Sequence, residues 1–362
     1  MPQTDLIPAS FMAGAQRMAR VLSGLDRVLI SGHVNPDGDA AGSLAAAGLI
    51  LRSLGKEFVL YSSTGLPQYL NFFPLPGAIH TSLERLPFQP QSALLLDCGE
   101  PHRLGRELAG RLPALASVNI DHHLGGNGMG SLANWVEPAA AATAQLMAYV
   151  ALAAGLPLKE GLADAVALGV ITDTGGFCHG STSADVLFLC AALVADGCDL
   201  TGLRQHLENN WSPGRMRLWG RLMERARLTR GGSVAFCRVL LEDLAQCQAC
   251  KEDLEGFVEQ LRRLRGVRVA ALLREEGPQL CKFSLRSYGN TDVRGTAALL
   301  GGGGHFNAAG GTLRLTPDQA EKALLAAVER QLNEAEAAAP LPSLPGCGQD
   351  LVPSSDPGAD YL

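Results

Sequence analysis

The sequence predicts an α/β fold, with a parallel sheet covered by helices on both faces in a first domain and a smaller α/β second domain. Short, continuous apolar runs alternate with helical patterns through the first half of the chain, which is typical of buried parallel strands. A Ser-Pro-Gly break at residues 212–214 then interrupts this pattern. With 362 residues, 47% of them hydrophobic and 18% charged, the chain is long enough to form two cores.

The first domain is predicted from four apolar runs and the helical stretches between and after them. The runs are predicted as strands at residues 27–31, 57–62, 93–97 and 116–121. Stretches of helical length and pattern are predicted as helices at residues 40–54, 140–154, 160–171, 183–196 and 200–208. Since helices and strands alternate, the strands are expected to form a parallel sheet.

The second part of the chain begins with an Arg-rich helical stretch at residues 215–227, which is predicted to connect two domains. Strands are predicted at 233–239, 267–274 and 282–287, with a helix over about 250–265 and a final amphipathic helix over 317–337. The remaining residues are rich in Pro, Gly, Ser and Asp and have little to bury. The predicted organisation is a domain at 1–211, a linker at 212–227, a second domain at 228–337 and a disordered tail at 338–362.

Composition restricts the class of protein and its surroundings. The nine cysteines have no regular spacing, and Cys247 and Cys250 form the only CxxC pair, so a structural zinc site with four ligands is not expected. Free thiols favour a reducing, cytoplasmic setting. The N-terminus lacks the pattern of a secretory signal, and the most apolar stretch, 139–158, is interrupted by Gly155 and Pro157, so no membrane span is expected.

The net charge of −6 is unevenly distributed along the chain. Residues 215–314 contain 17 Lys/Arg against 10 Asp/Glu, whereas the rest of the chain contains 13 against 26. A basic segment of this kind attracts anions, although drift in composition would produce the same asymmetry. The acidic remainder of the chain can also bind phosphates where its carboxylates hold cations.

Acidic and histidine clusters follow three of the predicted strands and one of the helices. Ligands of open parallel sheets bind at the carboxyl ends of the strands, so the clusters are predicted to converge on one site. Individually they have ordinary alternatives, since Asp37-Gly38 is a common turn sequence and Asp39 could be a helix N-cap. Carboxylates and imidazoles without a thiol suit manganese, magnesium or iron, and ligands from four segments suffice for two metals acting on a phosphate. The residues concerned are His33, Asp37, Asp39, Asp97, Asp121, His122, His123 and Asp173.

The order of these motifs resembles the DHH phosphoesterase superfamily over roughly residues 15–335. The motifs are HxxPDGDA at 33–40, an aspartate after a strand, Asp-His-His at 121–123 and TDTG at 172–175. The resemblance implies two divalent metal ions, Mn²⁺ in the first place, with Mg²⁺ or Co²⁺ as alternatives. It implies one metal held by His33 and Asp37, a second held by Asp39, His122 and Asp173, and Asp97 as the bridge between them.

The resemblance also implies catalytic roles for three residues beside the metals. Asp121 would orient the histidine pair. His123 would face the scissile phosphate, and Arg103, in the run after Asp97, is a candidate phosphate contact.

A glycine-rich segment near the end of the second domain is the other strong signal. Consecutive glycines expose amide N–H groups that suit phosphate, although glycine alone would equally indicate a flexible loop. The pattern GGGHxxAAG at 302–310 looks like the hallmark of the DHH-associated C-terminal domain, which implies that this domain binds the far end of the substrate. The candidate contacts here are Gly303, Gly304, His305 and Asn307.

The strand before this segment supplies further candidate substrate contacts. Ser284, Arg286 and Ser287 lie in it, and Arg286 could clamp a terminal phosphate through two parallel hydrogen bonds. Arg262 is another candidate from the same domain. Either arginine could equally be a solvated surface charge.

In length and in both motif sets, the sequence resembles the stand-alone bacterial nano-RNase and pAp phosphatase group, where pAp is 3′-phosphoadenosine 5′-phosphate. This implies hydrolysis of oligoribonucleotides of about two to five nucleotides to mononucleotides, and of pAp to AMP and phosphate. The implied partners are short RNA and nucleoside bisphosphates rather than long duplexes or membranes, and a homodimer stays open.

Three alternatives are a cyclic dinucleotide phosphodiesterase, an inorganic pyrophosphatase and a non-catalytic nucleotide sensor. Family II pyrophosphatases carry a Ser-Arg-Lys-Lys type run, which this sequence lacks, and a sensor is expected to have lost metal ligands. Cys178 stands where relatives often have arginine, which leaves the substrate preference open. His179 could replace that arginine in part, or be a loop histidine without a role.

Overall fold

The chain divides into two compact units, Met1–Asn210 and Trp211–Leu362, referred to below as the N-terminal and C-terminal units. The structure, a computed structural model, describes residues 3–124, 128–209 and 211–338. Residues 339–362, which make up almost all of the predicted tail, lie outside the described residues. The boundaries predicted at 211, 227 and 337 stay predictions.

A sheet of six parallel strands forms the centre of the N-terminal unit and confirms the predicted parallel sheet. Its strand order is 3-2-1-4-5-6, so the direction of winding reverses between the first and fourth strands. Such a switch point opens a crevice at the carboxyl ends of the strands. The strands are β1 (Val28–Ser31), β2 (Phe58–Tyr61), β3 (Ile79–His80), β4 (Ser92–Leu96), β5 (Ala116–Asp121) and β6 (Ala133–Val136).

Helices cover both faces of this sheet, as predicted. Alternate strand residues point to opposite faces, so Ile30 and Leu94 belong to one core while Leu29 and Leu95 belong to the other. The first face carries most of the helices, and the second is covered by α3 and the turns around it. The helices are α1 (Ala9–Ser23), α2 (Gly38–Ser53), α3 (Arg106–Arg111), α4 (Thr143–Ala153), α5 (Glu160–Asp173), α6 (Ala184–Ala195) and α7 (Leu200–Glu208).

Within the described ranges no single helix is long and apolar enough to cross a bilayer. Taken together, α6 and α7 are long and apolar enough for a span by length and composition alone, but they meet at an angle of 106°.

The C-terminal unit is a second α/β layer structure around a mixed six-stranded sheet. The parallel pair is β8–β9, and the other pairs are antiparallel in the order β11-β12-β10-β9-β8-β7. Its elements are α8 (Pro213–Arg225), β7 (Arg227–Thr229), β8 (Val234–Val239), α9 (Leu241–Cys247), α10 (Phe257–Arg262), β9 (Val269–Gly277), β10 (Leu280–Ser287), α11 (Val293–Leu299), β11 (Gly303–Gly304), β12 (Ala308–Leu313) and α12 (Pro317–Ala338).

The helix that the sequence predicts as a connector packs onto this unit. Ser212 caps α8 by accepting a hydrogen bond from the backbone N–H of Arg215 at 2.8 Å. Leu218, Trp219 and Leu222 are then buried with α9 and α10 on one face of the sheet, while α11 and α12 cover the other face.

Candidate metal centre

The turn between β1 and α2 brings His33 and Asp37 to the carboxyl edge of the sheet. Asp37 is the N-cap of α2, because its Oδ1 accepts hydrogen bonds from the backbone N–H groups of Asp39 and Ala40, both at 3.1 Å. His33 is buried, and its Nδ1 lies 2.9 Å from the carbonyl oxygen of Val34. With Nδ1 as the donor to that carbonyl, Nε2 is left as an electron-pair donor 3.7 Å from Asp37 Oδ1.

Asp97 lies at the centre of the site, directly after β4. Its backbone has a φ of 53°, in the left-handed region that aspartate tolerates better than most residues. Oδ2 lies 3.4 Å from His33 Nε2, and Oδ1 lies 3.5 Å from His122 Nε2. A single buried carboxylate therefore faces two imidazoles through its two separate oxygens.

Asp39, in the first turn of α2, is fully buried against the N-terminus of α4. Its Oδ2 accepts from the backbone N–H of Thr143 at 2.7 Å, and its Oδ1 accepts from that of Ala144 at 2.9 Å. The orphan N–H groups and the positive end of a helix dipole favour an anion there. Thr143 also donates from its hydroxyl to Asp97 Oδ1 at 3.3 Å, so this residue supports two of the carboxylates.

A glycine allows α5 to approach this carboxylate closely. A Cβ on Gly169 would lie 2.5 Å from Asp39 Oδ1 and 2.4 Å from Ala144 Cβ. Any side chain at this position would therefore displace Asp39 or the start of α4. Neither Gly169 nor Thr143 could be identified as a site residue from the sequence, since their roles depend on which helices meet.

His122 completes the second half of the site together with Asp173, the last residue of α5. Its Nδ1 lies 3.3 Å from the carbonyl oxygen of Ala140, and its Nε2 lies 3.0 Å from Asp173 Oδ2 and 3.8 Å from Asp39 Oδ2. Despite these short distances, the buried Nε2 makes no hydrogen bond of acceptable geometry among the described residues. A buried ring nitrogen facing carboxylates in this way fits a metal ligand.

Asp121 holds the second histidine of the Asp-His-His motif. Its Oδ1 lies 2.8 Å from His123 Nδ1 and accepts from the His123 backbone N–H at 3.2 Å. His123 Nδ1 also lies 3.4 Å from Asp97 Oδ1. Asp121 is fully buried, so it fixes the ring of His123 at the edge of the carboxylate cluster.

Among the described residues, three groups of side chains could hold a metal ion, and in each group the ligand atoms all lie within 4.8 Å of one another. Two of these groups share no residue, and together they contain all six metal ligands predicted from the sequence. Asp97 belongs to the first of the two. The third group shares Asp97 with the first and His122 with the second, and it adds His123. The groups are His33, Asp37 and Asp97; Asp39, His122 and Asp173; and Asp97, His122 and His123.

The electrostatics of the cluster show the same need for cations. Burial raises the pKa of Asp39 well above its usual value, and the neighbouring charges of Asp97 and Asp173 raise it further. Burial alone would lower the pKa of His33 and His122, but the surrounding carboxylates outweigh it and raise both to about 10. A divalent ion bound here would balance the same carboxylates.

Arg103 lies beside the loop that carries His33. Its carbonyl oxygen accepts a hydrogen bond from the backbone N–H of Val34 at 2.6 Å. No hydrogen bond from its guanidinium is found within the described ranges. Near the other half of the site, Cys178 is exposed, and His179 Nδ1 lies 3.0 Å from the carbonyl oxygen of Asp173.

In the C-terminal unit, β10 places its predicted contacts on opposite faces. Ser284 and Gly303 line a cavity of about 430 Å³ together with Arg274 and Lys282. Arg286 is half-buried and donates from Nε to Glu259 Oε1 at 2.6 Å. Ser284 and Arg286 therefore lie on a partly open face of the sheet.

Ser287 and Asn307 bond to each other. Ser287 is buried and donates to the carbonyl oxygen of Thr291 at 2.6 Å, while Asn307 Nδ2 donates to Ser287 Oγ at 2.8 Å. The glycine-rich segment forms the short β11–β12 hairpin, in which Gly304 has a φ of 138° and His305 N–H donates to Ala308 O at 2.8 Å. The substrate contacts named for this unit stay predictions.

Comparison with known proteins identifies the family. Residues 27–170 match the DHH family, N-terminal domain, and residues 232–334 match the DHHA1 domain. Over 324 residues the chain is 35% identical to a Thermus thermophilus protein named bifunctional oligoribonuclease and PAP phosphatase NrnA, covering 88% of this chain and 94% of that relative. The chain belongs to the DHH family. The resemblance stated from the motifs is therefore confirmed.

Two further proteins resemble almost the whole chain. A Bacillus subtilis protein with the same name is 24% identical over 325 residues, covering 88% of this chain and 99% of that relative. The crystal structure of an exopolyphosphatase-related protein from Bacteroides fragilis superposes with a TM-score of 0.83 at 26% identity, covering 90% of this chain and 98% of the other.

Proposed function

We propose that this member of the DHH family hydrolyses oligoribonucleotides of about two to five nucleotides to mononucleotides and converts pAp to AMP and phosphate. The observation that carries the proposal is the central carboxylate of Asp97, which faces two imidazoles through separate oxygens in a site built from four segments. The Thermus thermophilus and Bacillus subtilis relatives, both named as oligoribonuclease and PAP phosphatase, supply the substrate class.

The ligands are assigned to two divalent ions, for which Mn²⁺ is proposed and Mg²⁺ or Co²⁺ are the alternatives. Oxygen and imidazole donors without thiolate suit these ions. When bound, two such ions supply an activated water and neutralise charge on the phosphate oxygens. The first ion would be held by His33 and Asp37, the second by Asp39, His122 and Asp173, and both by Asp97.

The remaining residues bind and orient the substrate. His123, fixed by Asp121, would donate to a non-bridging oxygen of the scissile phosphate, and Arg103 would offset the charge on the same group. In the C-terminal unit, Arg286 would exchange its bond to Glu259 for a substrate phosphate. Substrate binding in this unit is also proposed for Arg262, Ser284, Gly303, Gly304 and His305.

Cyclic dinucleotides are a second candidate substrate class. A Geobacillus thermodenitrificans protein named cyclic-di-AMP phosphodiesterase GdpP is 25% identical over 338 residues, which is 86% of this chain and 48% of that relative. Hydrolysis of cyclic di-AMP at a rate similar to that of a linear dinucleotide would support this second activity.

A side-by-side turnover assay with manganese tests the proposal. The substrates are a 5′-labelled RNA dinucleotide, a 24-mer RNA, pAp, cyclic di-AMP and pyrophosphate. We expect rapid turnover of the dinucleotide and pAp with little on the 24-mer. Cleavage of pyrophosphate alone, or binding of metal without turnover of any substrate, would contradict the proposal.

A further inference from the structure

Tyr288 of the C-terminal unit presents an exposed aromatic ring beside Arg262. It follows β10 directly, two residues after Arg286, and the residue is 75% exposed. The guanidinium carbon of Arg262 lies 5.9 Å from the centroid of its ring. The arginine thus backs one face of the ring in a cation–π contact, while the large exposure leaves aromatic surface open to a ligand.

The turn that carries Tyr288 is held by Asn307 of the glycine-rich segment and by Ser287 of β10. Asn307 Nδ2 donates to the carbonyl oxygen of Gly289 at 3.0 Å as well as to Ser287 Oγ. Ser287 in turn donates to Thr291 beyond the turn. Since both sides of the turn are anchored, the ring is presented from a fixed backbone, which lowers the entropy cost of stacking a ligand on it.

The surroundings of the ring suit a nucleotide more than an apolar partner. Arg262 is followed by Arg263 and Arg265, and Arg286 lies two residues before the tyrosine. Glu259 offsets part of this charge through its pair with Arg286. An open aromatic face backed by Arg262 provides both stacking for a base and attraction for its phosphate.

We propose that a nucleobase of the substrate stacks on Tyr288, with Arg262 supporting the ring from behind. Ser287 and Asn307 are then positioning residues for this turn. The inference rests on the proposed function and adds to it a base-recognition element that tolerates any base, because every base has an aromatic face.

The test compares base-containing substrates with base-free ones. The variants are Tyr288→Ala, Tyr288→Phe, which keeps the ring, and Phe188→Ala as a control, since Phe188 is an aromatic of the N-terminal unit that is 69% exposed. Steady-state kinetics are measured on an RNA dinucleotide and on two analogues, each with one abasic ribose. We expect Tyr288→Ala to raise KM for the intact dinucleotide by about tenfold. The same substitution should leave KM unchanged for the analogue that lacks the stacked base.

Tyr288→Phe and Phe188→Ala are expected to keep the wild-type KM within about twofold, since stacking needs the ring and not the hydroxyl. An unchanged KM in Tyr288→Ala, or an equal loss on the intact dinucleotide and both abasic analogues, would overturn the inference.

A binding measurement separates this inference from the proposed function. Absence of dinucleotide hydrolysis by the wild type would count against the proposed function alone. Calorimetric titration with AMP and with ribose 5-phosphate then decides the inference. We expect the wild type to bind AMP more tightly than ribose 5-phosphate and Tyr288→Ala to lose that difference. Equal affinity of the wild type for AMP and ribose 5-phosphate would overturn the inference that a base stacks on Tyr288.

Discussion

The two units handle polar groups in opposite ways. In the N-terminal unit, Asp39, Asp97 and Asp121 are buried and are aimed at one another or at histidines by backbone and side-chain donors. In the C-terminal unit, Arg286 is paired with a glutamate, and both side chains remain about a third exposed. The buried aspartates are fixed in place and lack enough positive charge to balance them. The Arg286–Glu259 pair is balanced within itself, and its side chains can exchange partners.

This difference indicates what each unit binds. Burying several carboxylates close together is costly unless cations or protons balance them, so the N-terminal site is built for ions. A surface pair such as Arg286–Glu259 contributes little to stability and is lost at little cost. The C-terminal surface therefore suits a substrate that must arrive and leave.

The largest effect is expected from Asp97, which we propose holds both ions. Asp97→Asn keeps the shape and tolerates the left-handed backbone but removes the charge, and we expect activity to fall by about a thousandfold or more. Asp26→Asn, which changes an exposed carboxylate of the same unit, is the control. Steady-state turnover of an RNA dinucleotide measures both, and near-normal turnover in Asp97→Asn would refute the bridging role.

Metal removal is expected to loosen the N-terminal unit and leave the C-terminal unit unchanged. A ligand that binds the folded state stabilises it, so chelation should lower the protection of amides around residues 33–40, 97–99 and 121–123. Hydrogen exchange with and without excess chelator measures this. Equal loss of protection in β9 and β10 would contradict the contrast between the units.

Thr143→Val tests whether the support of the carboxylates matters as much as the ligands. The change keeps the size of the side chain and the backbone N–H that donates a hydrogen bond to Asp39. It removes the hydroxyl that donates a hydrogen bond to Asp97. We expect manganese affinity to fall by about 10- to 100-fold, as is usual for partners of metal ligands. Titration calorimetry on metal-free protein measures it, and an unchanged affinity would assign Thr143 a purely structural role.

The smallest effect is expected from the C-terminal unit. Arg286→Ala should raise KM for short substrates by about tenfold with little change in kcat, since the residue is proposed to bind substrate away from the reacting phosphate. Arg330→Ala, which breaks an exposed Arg–Glu pair of the same unit, is the control. A fall in kcat at unchanged KM would place Arg286 in the chemical step instead.

The clustering of the candidate ligands could be predicted from the sequence because most of them come at the ends of strands or at the start of a helix. His33 and Asp97 follow buried apolar runs, and parallel strands bring such positions to one edge. Their surroundings could not be predicted in the same way. The hydroxyl of Thr143 and the missing side chain of Gly169 matter only because α4 and α5 meet Asp39, which depends on tertiary packing.

The fold was predicted less completely at its margins than at its centre. The edge strands β3 and β6 and the short helices α3, α9 and α11 have no long apolar period, and α1 was not recognised. In the C-terminal unit, Ser287 and Asn307 were named as substrate contacts from their types, while their side chains bond to each other and to the Tyr288 turn. Tyr288 itself follows a strand without any motif, so only its exposure and its neighbour Arg262 pointed to it.

The most direct test of the account is an anomalous difference map from crystals of the protein grown with manganese. We predict two peaks, one on either side of Asp97, with the first beside His33 and the second beside His122. A single peak, or two peaks that do not share Asp97, would contradict the two-ion centre on which the proposed function depends.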